Sequence, residues 1–360
     1  MKVALITIAK PQKGSGDGIT EYTYQLYNAI KHMLKVDLIY AVSSIGRNDV
    51  FGLLKTHIFP YKINEIVHND YDVVHITNHE VGFLAKKIKQ KSPNTIIITT
   101  IHDLLRFNSK NTANFLQKFY DTLVQNSIRD AINYSDFLIF NSTQTKTDVN
   151  RAFPNLVAAK YKVIYNGIDA SFSKRIPKKP HKNIFVIGYI GSLAAHKNAI
   201  AILSVANLLK NEKNIKFKIY GTGATKNLLH QYAKNNKLKN VEFKGFASRN
   251  NLVKIFDLFD VFIFPSLHEG FGMPILEAQA RGLPVIIYKN AKIPTEVRKY
   301  CIETNMPKPA NTIIKELYNG STRKPDKNVY IKYSRHFSWD KTSKETSNIY
   351  NALKTKGINK

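Results

Sequence analysis

The stretch FPSLHEGFGMPILEAQARGLPVI, residues 264–286, combines the end of a strand, a glycine-rich turn and the start of a helix. Val261–Pro265 has the continuous apolar character of a buried strand, Ser266–Gly272 holds two glycines typical of a turn, and helical spacing follows. Amides at such a helix start are unpaired and face the end of the strand, where they attract phosphate. Glu269 falls in the turn and Glu277 in the helix, so the two carboxylates can address opposite ends of one bound molecule.

The full pattern of this stretch also resembles a known family. Two glutamates eight positions apart occur by chance in most proteins of this length, but Glu269 and Glu277 also enclose G-F-G-x-P and stand between a buried strand and G-x-P-V. This pattern resembles the signature of the retaining glycosyltransferases of family 4, which have the two-domain GT-B fold. The alternative is an ordinary strand–turn–helix with surface acids.

The resemblance implies roles for the residues of the stretch. Glu269 would be catalytic, lying near the donor sugar or the acceptor, where it orients a hydroxyl and stabilises developing positive charge. Glu277 would bind the ribose of the nucleotide, because a carboxylate can accept two hydrogen bonds from a vicinal diol. Gly270 and Phe271 would contact the sugar. Four residues at the helix start would hold the donor diphosphate: Gly272, Met273, Ile275 and Leu276.

Length and composition bound the class of protein. With 360 residues, 41.0 kDa and 43% hydrophobic residues, the chain is expected to form two domains with their own cores. No apolar run approaches a membrane span, and Lys10 interrupts the apolar start VALITIA before it could form a signal-peptide core. The single cysteine, Cys301, allows no intrachain disulfide and suits a reducing compartment. We therefore expect a soluble, unprocessed cytoplasmic protein, with Cys301 as a core residue.

The formal net charge of +28 lies mostly in the second half of the chain. Residues 1–170 hold 20 basic and 14 acidic residues, whereas residues 171–360 hold 34 and 12. Such a field attracts polyanions, anionic membranes or charged nucleotide donors. The lysines are scattered, without an interleaved aromatic platform, which favours a solvated surface over a nucleic-acid groove. We expect no nucleic-acid partner. Peripheral contact of the protein with the inner face of an anionic membrane stays open.

Strand and helix patterns alternate through both halves. Strands are predicted at Val3–Ile8, Val36–Tyr40, Val73–Ile76, Thr95–Ile101, Phe137–Asn141 and Tyr161–Tyr165, and then at Phe185–Ile190, Lys216–Tyr220, Val241–Lys244, Val261–Pro265 and Pro284–Ile287. Alternating strands and helices predict parallel sheets covered on both faces. The predicted fold class is α/β: a GT-B protein of two Rossmann-like doubly wound domains with the active site in the cleft between them.

Domain limits follow from composition and from a second resemblance. The run N-G-I-D at residues 166–169 resembles the marker at which the chain of this family leaves its first domain, and a basic, proline-containing segment follows. We expect an N-terminal domain 1–170 on the acceptor side, a linker 171–182 and a C-terminal donor domain 183–337. The tail around Trp339 resembles the helix that crosses back, so residues from about 338 to 360 are expected to complete the first domain.

A glycine loop follows the first predicted strand and leads into a helix predicted from about Thr20 to Leu34. Gly14, Gly16 and Gly18 form G-x-G-x-G rather than the dinucleotide pattern G-x-G-x-x-G, so we expect no nicotinamide cofactor. The resemblance implies that Gly16 and Gly18 border the cleft. A turn without a binding role is the alternative.

His102 follows the predicted strand Thr95–Ile101, at the edge where open α/β sheets bind ligands. The run I-H-D-L resembles a histidine–aspartate pattern of family 4, which implies that His102 is catalytic and lies near the donor sugar and phosphate. Asp103 can either orient His102 or cap the next segment. Three other histidines are interpreted as structural: His75, His79 and His268.

Lys197 stands at the predicted start of a helix, where the helix dipole disfavours a cation. The position is explained if the lysine binds an anion. The segment resembles G-R-L-x-x-x-K, in which an arginine and a lysine hold the donor diphosphate, but Ser192 occupies the arginine position here. Arg106, Lys13 or the general positive field could replace that charge. Three further residues lie in segments that resemble the nucleotide-binding pocket of the family: Gly221, Gly223 and Phe246.

The function implied by these resemblances is transfer of a hexose from a nucleotide diphosphate sugar to a hydroxyl of a glycan or lipid-linked glycan. The nucleotide sugar acts as co-substrate, anomeric configuration is retained, and no cofactor or bound metal is needed. Two alternatives stay open. One is a GT-B sugar-nucleotide epimerase, and the other is a non-enzymatic basic protein that binds polyanions or a membrane surface.

Overall fold

The computed structural model describes residues 1–11, 18–42, 63–105, 115–154, 160–173, 184–321 and 326–358. The chain divides into two compact units: unit 1, Met1–Gly167 with Trp339–Lys360, and unit 2, Ile168–Ser338. The described part of each unit contains a parallel sheet of six strands. None of the helices in the described ranges is long and apolar enough to cross a membrane.

The sheet of unit 1 has the strand order β2-β1-β3-β4-β5-β6. These strands are β1 Lys2–Ala9, β2 Lys35–Val42, β3 Val73–Ile76, β4 Ile96–Ile101, β5 Phe137–Phe140 and β6 Tyr161–Val163. The helices between them are α1 Gly18–Ile30, α2 Ile63–His68, α3 Phe83–Lys91, α4 Phe115–Tyr134 and α5 Thr143–Ala152. β1 pairs with β2 on one side and β3 on the other, so the direction of winding reverses between β1 and β3. In open α/β sheets such a switch point is where ligands bind.

The sheet of unit 2 has the order β12-β11-β10-β7-β8-β9. These strands are β7 Phe185–Ile190, β8 Ile215–Tyr220, β9 Val241–Gly245, β10 Val261–Phe264, β11 Val285–Tyr288 and β12 Ile302–Thr304. The helices are α6 Ala199–Leu208, α7 Lys226–Asn235, α8 Leu252–Phe256, α9 Met273–Ala280, α10 Thr295–Arg298, α11 Ala310–Asn319 and α12 Lys327–Ser334. Counted from β7, this is the Rossmann order 3-2-1-4-5-6, and its switch point lies between β7 and β10.

The central strands are buried on both faces, as expected of parallel sheets that carry helices on each side. Every residue of Val73–Ile76 and of Phe185–Ile190 is buried. An aromatic ring packs directly on the sheet of unit 2. An ideal Cβ at Gly188 would lie 2.1 Å from the Phe259 ring, so only glycine at this position leaves room for the ring. The predicted α/β class with two doubly wound sheets is confirmed.

The last helix, α13 Trp339–Ile358, belongs to unit 1. The Trp339 ring packs edge-on against Tyr22 with centroids 5.8 Å apart, and the Tyr350 hydroxyl lies 2.6 Å from His75 Nδ1. Thr342 Oγ1 donates to the carbonyl of Tyr165 at 2.7 Å. These buried contacts tie the C-terminal helix to α1 and β3.

The predicted strands agree with the structure to within two residues at each end, but the end of one helix and one short strand were not predicted correctly. Helix α1 ends at Ile30 rather than Leu34, because the amides of Met33 and Leu34 both turn back to the carbonyl of Ile30. Strand β12 was not predicted, since only one of its three residues, Ile302, is apolar.

Candidate functional site

At the switch point of unit 2, the loops that follow β7 and β10 are joined by hydrogen bonds. The amide of Leu267 donates to the carbonyl of His196 at 2.9 Å, and Asn198 Nδ2 donates to the carbonyl of Pro265 at 3.4 Å. The amide of Glu269 in turn donates to the carbonyl of Lys292 at 2.9 Å. The backbone on both sides of the switch point is therefore fixed.

An ion pair joins these two loops. Lys197 Nζ lies 2.6 Å from Glu269 Oε1, and the two side chains are only 17% and 9% exposed. The ammonium group also lies 5.6 Å from the centroid of Phe264, whose ring stacks on Tyr189. Burial, and secondly the charge of Glu269, raise the pKa of the Tyr189 hydroxyl. The structure thus brings together the two residues for which the family resemblance implied diphosphate-binding and catalytic roles.

Lys197 lies in a 3-10 turn, Ala195–Lys197, directly before α6. Asn198 between them has φ 51°, a left-handed conformation that asparagine tolerates better than most residues. The turn lets the lysine leave the helix axis and reach Glu269, 72 positions along the chain. The unfavourable position at a helix start is therefore offset by a direct ion pair.

Glu277 lies in the second turn of α9 and is 2% exposed. Its Oε1 is 2.5 Å from Nη1 of Arg249, whose side chain is 10% exposed. Sequence reasoning missed Arg249, which lies 28 positions earlier in a short 3-10 turn. A signal was present, because the residues around Glu277 in α9 are mostly apolar, and a buried carboxylate requires a cation or hydrogen-bond donors.

The predicted diphosphate-binding residues divide into two groups. Gly272 has φ 98°, which disfavours any side chain, and α9 starts directly after it at Met273. The amide of Ile275 donates to the carbonyl of Gly272 at 3.0 Å, and the side chains of Ile275 and Leu276 are fully buried. The helix start at Gly272 and Met273 is therefore better suited to an anion than the next residues.

The residues predicted to contact the sugar are partly used in packing. Phe271 is 4% exposed, and its ring lies edge-on to Phe337 with centroids 6.0 Å apart. Its side chain therefore packs in the core of unit 2 and is not open to a ligand.

Gly221 and Gly223 have a packing reason to be glycine. An ideal Cβ at Gly221 would lie 1.9 Å from the carbonyl oxygen of Gly191, and one at Gly223 would lie 2.7 Å from the backbone of Leu193. The amide of Leu193 donates to Thr222 at 2.9 Å. These glycines let the turn after β8 support the loop that carries Ser192.

Phe246 and Ser192 are accessible to different degrees. Phe246 follows β9 and is 53% exposed, whereas Glu277, the other predicted nucleotide-binding residue with a side chain, is 2% exposed. Ser192 is half-buried, and its carbonyl accepts a 2.9 Å hydrogen bond from the Tyr189 hydroxyl. Lys13 and Arg106, the proposed substitutes for the missing arginine, lie outside the described residues.

The predicted glycine loop of unit 1 is described only at its end. Gly16 lies outside the described residues, whereas Gly18 is the first residue of α1. An ideal Cβ at Gly18 would meet nothing within 4 Å, so packing does not require glycine there.

His102 directly follows β4 and is 4% exposed. Its Nε2 lies 2.9 Å from the carbonyl of Thr77 and must donate, because a carbonyl only accepts. Its amide lies 3.3 Å from Nδ1 of His79, which therefore accepts. The Tyr22 ring meets His102 edge-on at 4.7 Å. Loops after β3 and β4 thus hold His102 in one orientation.

His75 is a fully buried core group. Its Nδ1 lies 2.6 Å from the Tyr350 hydroxyl and its Nε2 lies 2.7 Å from Thr100 Oγ1. Burial, and secondly the nearby His102, lower the pKa of His75 to about 3. The imidazole is therefore neutral across the physiological range, which agrees with the structural role expected of it.

Acidic and histidine residues in the described ranges do not gather as metal ligands: no group of three His, Cys, Asp or Glu there could hold an ion. The chain does contain Asp70-Tyr71-Asp72, an Asp-x-Asp pair, directly before β3. Asp72 accepts from the amide of Lys2 at 2.7 Å and pairs with Lys354 at 3.0 Å. This pair lies at the amino end of the strand, the opposite end from the switch-point loops.

Comparison with known proteins places both halves of the chain. Residues 171–337 match the family model for glycosyl transferases group 1, and residues 18–172 match the model for Glycosyltransferase Family 4. The chain belongs to the glycosyltransferases of GT-B fold. Among its relatives is the O-antigen chain mannosyltransferase B of Escherichia coli, 22% identical over 71% of this chain and 70% of that protein. Another is the UDP-Gal:alpha-D-GlcNAc-diphosphoundecaprenol alpha-1,3-galactosyltransferase of the same species, 26% identical over 70% of this chain and 67% of that protein.

Solved structures support the same fold for this glycosyltransferase. Sucrose-phosphate synthase from Thermosynechococcus elongatus superposes with a TM-score of 0.78 at 17% identity and covers 98% of both chains. Anabaena HepE in complex with UDP-glucose gives a TM-score of 0.71 at 18% identity, covering 98% of this chain and all of that one.

Proposed function

We propose that this glycosyltransferase is a retaining hexosyltransferase of family 4. It would move a hexose from a nucleotide diphosphate sugar to a hydroxyl of a glycan or lipid-linked glycan. The observation that carries the proposal is the buried Lys197–Glu269 ion pair at the switch point of unit 2. A cation and a carboxylate poised at the ligand-binding edge of a nucleotide-binding fold suit a diphosphate and the sugar attached to it.

The pairing suggests how the donor is bound. The diphosphate would replace Glu269 as the ion-pair partner of Lys197. It would also accept hydrogen bonds from the amides of Gly272 and Met273 at the start of α9. Glu269, released from the lysine, would orient the sugar and stabilise its developing positive charge. Glu277 would bind the ribose. His102 of unit 1 would act near the sugar.

Retention is proposed from the family resemblance. The bond between the anomeric carbon and the diphosphate oxygen breaks, and the bond to the acceptor oxygen forms on the same face. The acceptor proton passes to the leaving diphosphate, so no protein base is required, and direct displacement on the same face requires no protein nucleophile. We also propose that no metal or organic cofactor takes part, since Lys197 and the helix start can stabilise the leaving charge; activity should then persist in EDTA.

Relatives support the classes of donor and acceptor. The name of one relative gives UDP-galactose as donor and a diphosphoundecaprenol-linked sugar as acceptor, and HepE was solved with UDP-glucose. For this chain we propose a UDP- or GDP-linked hexose and a polyprenyl-linked acceptor at the cytoplasmic face of a membrane. The basic second half would assist there by attracting anionic lipid. Binding to vesicles that contain phosphatidylglycerol, and its loss in high salt, tests this part.

The decisive experiment combines a donor screen with one substitution. Protection against thermal unfolding by UDP- and GDP-sugars identifies the donor, since a ligand at a hundred times its dissociation constant adds about 2.7 kcal/mol of stability. With that donor, Glu269→Ala should abolish transfer and leave nucleoside diphosphate binding equal or tighter, because Lys197 loses its carboxylate partner. Glu242→Ala is the matched control, since Glu242 also pairs with a lysine, Lys244 at 2.7 Å.

Three results would contradict the proposal. Full transfer by the folded Glu269→Ala protein would remove the assigned role. Release of an epimerised donor in place of free nucleoside diphosphate and glycosylated acceptor would favour the epimerase. Steeply salt-dependent binding of DNA or vesicles, without saturation by any nucleotide sugar, would favour a polyanion-binding protein.

A further inference from the structure

We infer that Arg249 is a positioning residue that gives the nucleotide site its selectivity for a ribose 2′-hydroxyl. Arg249 would do so by fixing the carboxylate of Glu277. The inference rests on the proposed function, in which Glu277 binds the ribose. It concerns a residue that neither the signature stretch nor the Lys197–Glu269 pair includes.

The contact between the two residues is short and shielded from water. Arg249 Nη1 lies 2.5 Å from Glu277 Oε1, and the exposed fractions of the side chains are 10% and 2%. Solvent screens a contact of this kind far less than a surface ion pair. A carboxylate buried to this degree is strongly disfavoured without a charged partner. The positive charge of Arg249 therefore offsets the cost of burying Glu277 in α9.

Arg249 is itself held by an aromatic ring. Its guanidinium carbon lies 5.5 Å from the centroid of Phe172, within the range of a cation–π contact. Phe172 is 1% exposed and packs edge-on against Phe256 of α8 with centroids 5.7 Å apart. A planar guanidinium resting on a fixed ring presents its donors in one direction, which a lysine ammonium cannot reproduce.

This geometry has a consequence for the ribose. A carboxylate offers about four acceptor positions on its two oxygens, and a vicinal diol needs two of them side by side. The terminal torsion of a glutamate rotates broadly unless a partner fixes it. By holding Oε1, Arg249 sets the plane of the carboxylate and hence the direction of the remaining acceptor positions. Without that constraint, Glu277 would still attract hydroxyl groups but would distinguish ribose from deoxyribose less sharply.

The same region provides a matched control. Arg281 is also buried, at 5% exposure, and also contacts Phe172, donating from Nη1 to its carbonyl at 3.1 Å. Its ion pair, however, is with Asp257: Nε to Oδ1 at 2.8 Å and Nη2 to Oδ2 at 3.0 Å. Substituting Arg281 therefore removes a buried arginine from the same neighbourhood while leaving the Arg249–Glu277 pair in place.

The test measures dissociation constants by calorimetry for UDP and 2′-deoxy-UDP, and for GDP and 2′-deoxy-GDP. The proteins compared are the parent, Glu277→Gln, Arg249→Gln, Arg249→Lys and Arg281→Gln. The parent should prefer the ribonucleotide by about ten- to a hundredfold, the range expected for a hydrogen bond to a charged group. Glu277→Gln and both Arg249 variants should lose most of this preference, and Arg281→Gln should keep it. Because Arg249→Lys keeps the charge, it provides the comparison if Arg249→Gln fails to fold.

The outcomes separate the inference from the function beneath it. If the Arg249 variants keep the full preference while Glu277→Gln loses it, Glu277 binds ribose and the inference about Arg249 is wrong. If Glu277→Gln keeps the preference, the ribose role of Glu277 is wrong, and the inference falls with it. If the parent binds neither UDP nor GDP, the proposed nucleotide site itself is wrong.

Discussion

Each unit has a switch point in its parallel sheet, but the two switch points differ in chemistry. In unit 2, two buried ion pairs, Lys197–Glu269 and Arg249–Glu277, surround the loop after β10. In unit 1, the loops after β3 and β4 are joined by bonds from His102 to Thr77 and His79, which involve no carboxylate. Paired charges that a ligand can rearrange suit a diphosphate, whereas an oriented imidazole suits a neutral sugar or acceptor hydroxyl. Under the proposed function, two sheets of one fold class would therefore serve two kinds of ligand.

Among the substitutions that test this contrast, the largest effect should come from removing the cation of unit 2. Lys197→Met should reduce transfer about a thousandfold and raise the dissociation constant for nucleoside diphosphate about ten- to a hundredfold. Two causes act together. The attraction between the Lys197 ammonium group and the diphosphate is lost, and Glu269 becomes an unpaired carboxylate beside the diphosphate. The double variant Lys197→Met with Glu269→Gln should recover part of the binding and none of the transfer.

Lys210→Ala controls for loss of positive charge, since Lys210 is an exposed lysine just beyond the other end of α6. A Lys197→Met protein that binds the diphosphate as tightly as the parent would contradict the role of the ion pair. The proposed difference in ligand chemistry between the two units would then be wrong.

A smaller effect is expected on the neutral side. His102→Asn should reduce transfer about a hundredfold, the range for loss of one oriented hydrogen-bonding group, while nucleoside diphosphate binding by unit 2 changes much less. His102→Gln should lose less transfer than His102→Asn, because its longer amide can still reach the carbonyl of Thr77. Equal loss of binding and transfer in steady-state and calorimetric measurements would show that His102 acts on the diphosphate instead.

Buried neutral histidine makes unit 1 sensitive to acid. The pKa of His75 is about 3 in the folded protein, against about 6.5 in an unfolded chain, so the unfolded chain binds more protons between these values. The stability contributed by His75 is therefore present above pH 6.5 and is lost as pH falls. Between pH 7 and pH 5 the loss should be about 2 kcal/mol, or about thirtyfold in the unfolding equilibrium.

Hydrogen exchange of β3 and β4 amides measures this loss in unit 1 separately from unit 2. His75→Asn should be less stable at pH 7 but should show a much shallower dependence on pH. His32→Asn, at an exposed histidine, should keep the parent dependence. An unchanged slope in His75→Asn would place the acid-sensitive group elsewhere.

The smallest effect is expected from adding a positive charge to the site of unit 2. Ser192→Arg should tighten nucleoside diphosphate binding about tenfold if the loop after β7 is built as in relatives, because it adds a forked cation next to the diphosphate. The loop should tolerate the change, since Tyr189 holds its backbone. Ser192→Ala serves as the control and should bind as the parent does. Calorimetry that shows no change for Ser192→Arg would indicate that another residue already supplies this charge.

Much of the fold could be predicted from local pattern. Two strands, Val73–Ile76 and Phe185–Ile190, have the predicted limits, because each is a mostly apolar run that ends at a polar residue or a glycine. The strand, turn and helix around Glu269 also formed as expected. The three-residue strand β12 was missed, and α1 was predicted four residues too long, because local hydrogen bonds at a helix end leave no periodic signal.

The candidate site was predictable only in its chemistry-bearing residues. Glu269, Glu277, Lys197 and His102 stand out by motif and position, but their partners lie far away in the chain. Lys197 reaches over 72 positions to Glu269, and Arg249 reaches over 28 to Glu277. The family resemblance also implied a sugar contact for Phe271, whose side chain packs in the core of unit 2.

By itself, the sequence determined that this protein has two doubly wound sheets and an anion-attracting helix start after β10, because periodicity, glycine turns and helix starts are local properties. Only the tertiary structure decided which charges neutralise each other, that Gly221 and Gly223 are needed for close backbone packing, and that His102 is oriented by Thr77 and His79. The physical reason is the order of the strands. Winding that reverses between β7 and β10 brings together loops that are distant in sequence, and no local pattern records that meeting.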